Sequence, residues 1–218
     1  MSASSLVSIP AGDAAVEGML EIPDGATGLV LFAHGSGSSR HSPRNNQVAG
    51  VLRQAGVGTL LMDLLTPQED RDYSCRFDIA LLTRRLLEAA RWAVSQPATR
   101  ELPLGFFGAS TGAAAALEAA AVLGGQARAV VSRGGRPDLA SREALRTSTA
   151  PTLLLVGGLD DGVIDLNQQA YDQLQCEKEL AIVPGATHLF EEPGTLEAVA
   201  RQAAGWFARH LPAAQRPG

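Results

Sequence analysis

Leu102-Pro103-Leu104-Gly105-Phe106-Phe107-Gly108-Ala109-Ser110-Thr111-Gly112, followed by four alanines and Leu117, sets how the rest of the chain is read. An apolar run with β-forming phenylalanines stops at Gly-x-Ser-x-Gly, and an alanine-rich helical stretch begins at once. This is the pattern of a strand, a sharp turn and a helix with no loop between them, which holds a serine in strained backbone at the top of a sheet. Ser110 would also sit at a helix N-terminus, where outward-pointing N–H groups favour negative charge. The competing reading is that Ser110 is only a helix cap, and the surrounding chain has to decide between the two.

Working outward, short strand-like runs at 6–9 and 16–22 flank the turn Pro10-Ala11-Gly12-Asp13 and read as an opening hairpin. Apolar strands are expected at 28–33, 57–61, 102–109, 127–131, 152–156 and 179–183. Helices are expected at 45–54, 76–94, from 111 to 123, near 141–146, at 166–174 and at 195–210. Strands and helices therefore alternate from residue 28 onward. The predicted fold class is α/β: a mostly parallel sheet with an N-terminal antiparallel hairpin, helices on both faces and no large lid domain. Such sheets place their sites at the carboxyl ends of the strands. No repeat or linker interrupts the pattern, so residues 1–218 read as a single domain, with a core of about 6–211 and a loose Pro/Gly-rich tail at 212–218.

Composition narrows the classes. The 218 residues are 45% apolar and 19% charged, with a net charge of −5. An acidic globular protein fits; a nucleic-acid binder and a membrane protein do not. The N-terminus lacks the basic-then-apolar pattern of a leader. Cys75 and Cys176 lack metal-ligand or redox spacing and are expected to be free thiols. Together these predict a cytoplasmic location.

Ser110, Asp160 and His188 follow one another, each just past an expected strand end. A serine hydroxyl needs an imidazole to take its proton, and the imidazole needs a carboxylate to fix its tautomer. Nucleophile, acid, histidine is the order expected with such an elbow. Asp160 is favoured over its neighbour Asp161, which is expected to cap the following turn, and over Asp63. Oxyanion donors are expected from the backbone N–H groups of Thr111 and Ser36, the latter in His34-Gly35-Ser36-Gly37. That loop lacks the Lys-Ser/Thr ending of a phosphate-binding P-loop. His34 reads as a structural residue bonded to loop backbone, and His41 as either exposed or substrate-facing. Arg40 and Arg44 lie in and just past this loop, and Arg133 and Arg136 follow the strand after the elbow helix; facing the cleft they would clamp a substrate carboxylate or phosphate, Arg133 first among them, and otherwise they are solvated or structural.

With these residues in view, the chain resembles the α/β-hydrolase superfamily and, within it, the dienelactone-hydrolase-like group. The resemblance spans residues 6–211. It rests on Leu31-Phe32-Ala33-His34-Gly35-Ser36-Gly37, Gly108-Ala109-Ser110-Thr111-Gly112, Val156-Gly157-Gly158-Leu159-Asp160-Asp161-Gly162-Val163 and Gly185-Ala186-Thr187-His188. It implies an eight-stranded sheet with Ser110 as nucleophile, Asp160 as acid and His188 as base. Dienelactone hydrolases use cysteine where this chain has Ser110, so the expected activity is esterase-like. Proteins resembling this group also occur beside or fused to phosphoribosyltransferase-like domains. The function expected is cleavage of an ester-type bond (carboxylester, thioester or lactone) in a small, anionic or neutral substrate through an acyl-enzyme, with no metal or cofactor. Two alternatives stay open: a non-catalytic binding protein on this scaffold, and an acyltransferase or haloperoxidase-like enzyme using the same three residues. A homodimer through an outer helix or edge strand is compatible with the pattern.

Overall fold

The structure, a computed structural model, describes residues 3–12 and 14–211. The expected tail at 212–218 lies outside the described residues, as does Asp13 of the expected hairpin turn. Eight strands form one sheet in the order β1-β2-β4-β3-β5-β6-β7-β8: β1 Ala3–Ala11, β2 Ala14–Ile22, β3 Leu29–Ala33, β4 Gly58–Met62, β5 Leu104–Ala109, β6 Ala127–Arg133, β7 Thr152–Gly157 and β8 Lys178–Val183. The first two pair antiparallel, β2 joins β4 antiparallel, and every later pairing is parallel. Pro10 is tolerated within β1 because that strand is an edge.

The central strands are covered on both faces. Leu29, Leu31 and Ala33 enter one apolar cluster, while Val30 and Phe32 enter the other, as the two-residue strand period requires. On the second face lie α1 (Pro43–Gln54) and α6 (Thr195–His210). On the first lie α2 (Ile79–Ser95), α3 (Thr111–Leu123), α4 (Arg142–Thr147) and α5 (Asp161–Gln173). Ala113, Ala114, Ala115 and Ala116 are all buried, so α3 is thin enough to sit close against the sheet.

Two expectations shift. The helix expected at 166–174 begins five residues earlier, at Asp161, so Asp160 is its N-cap residue and Asp161 its first helical residue. Neither side chain caps it; an acidic first turn is favoured by the helix dipole instead. The helix expected at 76–94 begins at Ile79, because the segment after β4 folds into two 3-10 turns, Glu69–Arg71 and Tyr73–Phe77, the second of which takes in Arg76 and Phe77. Among the described residues, no helix is long and apolar enough to cross a membrane.

Candidate active site

Parallel registers bring the strand ends together: Ala33 lies opposite Gly108, Ala109 opposite Arg133, and Gly157 opposite Val183. The loops leaving these ends therefore meet along one rim of the sheet. Ser110 sits on the turn from β5 to α3 at φ +50 and ψ −120, a conformation disfavoured for an L side chain. It occupies the N-cap position, but its side chain caps nothing, so capping does not explain it. The turn is possible because Gly108 and Gly112 lack side chains. A Cβ on Gly108 would come within 2.4 Å of Ala113 Cα, and one on Gly112 within 2.2 Å of Ala33 O.

His188 Nδ1 lies 2.7 Å from Asp160 Oδ2. A carboxylate at this distance accepts, so Nδ1 carries a proton; in the corresponding tautomer Nε2 is the acceptor nitrogen. Asp160 is thus the carboxylate that accepts from His188, and Asp161 is exposed at the start of α5. The His188 loop is fixed on both sides. Glu192 accepts from the Thr187 N–H (3.0 Å) and Oγ1–H (2.6 Å), and fully buried Phe190 holds φ +55. These hydrogen bonds keep the Glu192 carboxyl below the usual carboxylate range.

Ser110 and His188 line one cavity of about 230 Å³, together with Ser36, Ser38, Arg44 and Arg133 among others. Ser110 Oγ makes no hydrogen bond among the described residues. Ser36 and Thr111 meet at an adjoining recess of about 10 Å³ beside Gly35 and Gly37. This loop is anchored from below. The Leu64 N–H donates to His34 Nε2 (3.0 Å), so His34 Nδ1 carries the proton and donates to Gly35 O (2.9 Å). Burial lowers the His34 pKa and keeps the ring neutral. His34 is structural, as its sequence position suggested; His41 is exposed and lies outside the cavity.

The four arginines divide. Arg40 does not face the cavity: its guanidinium pairs with Asp63 and, at 2.6 Å, with Glu17, while its backbone N–H also donates to Asp63. Asp63 is therefore a clamp on this loop. Arg136 is also turned away, held by two 2.8 Å bonds to Asp138, although its backbone N–H donates to Ser110 O. Arg133 and Arg44 do line the cavity. Arg133 is 8% exposed, and its Nε and Nη1 have no partner among the described residues. Burial first, and the nearby charge of Arg44 second, bring its pKa down to about 10. Sequence reasoning missed Ser42, Asn45, Leu189 and Glu191. Ser42 and Asn45 line the cavity at the start of α1, where Ser42-Pro43 carries a helix-start signal. Leu189 also lines it, and Glu191 binds Arg44 at 2.9 Å.

Fold and strand-end geometry define an α/β-hydrolase. The chain is 55% identical to a dienelactone hydrolase from Anabaena variabilis, with a TM-score of 0.94 over 96% of this chain and 99% of that one. It belongs to the dienelactone hydrolase family. The esterase Est1E from Butyrivibrio proteoclasticus shares the fold at 16% identity, with a TM-score of 0.81 over 95% of this chain and 99% of that one. A Mycobacterium tuberculosis protein provisionally named a phosphoribosyl transferase is 57% identical over 94% of this chain. This chain spans about half, 46%, of that relative's length. No family model matches the chain.

Proposed function

We propose that the protein is a serine hydrolase that cleaves an ester-type bond of a small substrate through an acyl-enzyme. The observation that carries this is that His188, hydrogen-bonded to Asp160, lines one cavity with the strained Ser110. Ser110 and His188 line the same cavity, and the mechanism calls for the Ser110 hydroxyl to turn toward the acceptor nitrogen of His188. Attack on the carbonyl carbon then sends the Ser110 proton to Nε2, and Asp160 stabilises the imidazolium. The N–H groups of Ser36 and Thr111 take the oxyanion as it forms. His188 returns the proton to the leaving group, and water repeats the sequence on the acyl-serine. Arg133 and Arg44 favour an acidic substrate. One continuous sheet supports reading the chain as a single α/β-hydrolase domain. The transferase name belongs to proteins of which this chain spans 46%, and the Ser–His–Asp geometry favours hydrolysis over it.

The test is labelling with a fluorophosphonate. Wild type should take up one equivalent on the peptide carrying Ser110, and Ser110→Ala should take up none while losing roughly 10³-fold or more of esterase activity. A folded wild type that is not labelled sinks the proposal.

A further inference from the structure

Arg133 poses a question that ester cleavage alone does not answer. A buried guanidinium without a carboxylate or carbonyl partner is costly, and one that faces a cavity is satisfied only by a group that enters it. Arg133 comes off the end of β6 directly beside the Ser110 turn, whose N–H donates to Arg133 O at 3.3 Å. Arg44 lines the same cavity from the first turn of α1, and its buried Nε has no partner among the described residues. Its other contact is Glu191, which is 62% exposed and supplies one negative charge from the solvent side. The twelve-residue α1 also presents its N-terminus here. Pro43 has no N–H and that of Asn45 is bonded to Ser42 Oγ, which leaves the N–H of Arg44.

The donors therefore come from two separate elements and exceed what a planar carboxylate uses, since one guanidinium fork already satisfies both of its oxygens. Two guanidiniums and a helix N-terminus match a tetrahedral group with three oxygens and two charges. We propose that the cavity beside Ser110 is built for a phosphate-class dianion, and that the substrate is a small ester carrying such a group. The inference rests on this cavity being the substrate site, and it names the acid the substrate carries.

Titration calorimetry with inorganic phosphate and with acetate tests the site without requiring turnover. Wild type and Ser110→Ala should bind phosphate alike, and acetate about tenfold or more weakly. Arg133→Met and Arg44→Met should each weaken phosphate binding about tenfold. The substrate claim is tested with p-nitrophenyl esters of phosphonoacetate, malonate and acetate. Arg133→Met should reduce kcat/KM about tenfold or more for the phosphonate, less for the malonate and least for the acetate. Equal binding of phosphate and acetate, full phosphate affinity in both arginine variants, or an equal loss on all three esters overturns the proposal. Failure of the fluorophosphonate test with phosphate still bound removes the hydrolase reading and leaves the anion site standing.

Discussion

Arg85 and Arg133 are both buried arginines, 7% and 8% exposed, and they are treated in opposite ways. Arg85, on α2, donates to Ala11 O at 2.8 Å, to Glu69 at 2.7 Å and to Glu88 at 3.4 Å, tying the opening hairpin to the helix and to the turn after β4. Among the described residues, its Nε alone lacks a hydrogen-bond partner. Arg133, at the site, has neither an ion pair nor a hydrogen bond to its buried Nε and Nη1 among the described residues. The difference teaches where this fold uses buried charge for cohesion and where it keeps charge available. The two histidines repeat the contrast: His34 has both nitrogens bonded to backbone, while His188 has Asp160 on one nitrogen.

If the contrast holds, Arg85→Met has the largest effect on stability. It strands Glu69 and the Ala11 carbonyl, so unfolding should become easier by on the order of 3 kcal/mol, roughly 6–12 °C in Tm. Urea denaturation and thermal scans measure this, and an unchanged Tm would break the comparison. Arg133→Met should do the reverse, since it removes an uncompensated charge: Tm should stay level or rise by roughly 1–4 °C while anion binding falls. A large loss of stability there would mean that Arg133 has a structural partner after all.

Glu191→Gln sharpens the picture more gently. It frees Arg44 from an exposed ion pair of the kind worth about 0.2–1 kcal/mol, so phosphate affinity by calorimetry should rise about two- to fivefold. Weaker binding would show that Glu191 holds Arg44 in its useful position. The smallest effect belongs to His34. Its folded pKa lies below the ordinary 6.5, so the unfolded chain binds the proton first as pH falls. Its contribution is complete above pH 6.5 and is lost as pH drops through the folded pKa. His210 shifts in the same direction, so the comparison needs His34→Asn, whose Tm should decline less than wild type between pH 7 and pH 5.5.

Much of this was legible in sequence because it is local. The elbow is written in Gly108, Ser110 and Gly112, and the strand ends in apolar runs that stop at polar loops. Asp160 and His188 could be placed because each comes directly after a strand, and parallel strands deliver their trailing loops to one rim. The fates of the arginines were not legible. Arg40 is claimed by Glu17 and Asp63, each 23 residues away along the chain, and only the sheet brings them together. Arg136 had a local clue in Asp138, two residues on. The early start of α5 was hidden by Gly162, which breaks the apolar period, while Asp161 favours the helix N-terminus electrostatically.

The close fit of Gly112 against the carbonyls of Ala33 and His34 has a consequence for how the cavity works. In mechanical terms it is a weld: the turn bearing Ser110 and the loop bearing Ser36 form one stator, and neither can shift without the other. The opposite side is more open: Arg44, Glu191 and Leu189 are partly exposed there, and Arg44 is tied to Glu191 by an exposed ion pair. Adaptation to a new substrate therefore falls to that side. Mutations there should retune which acids enter, while the machinery at the elbow keeps its alignment.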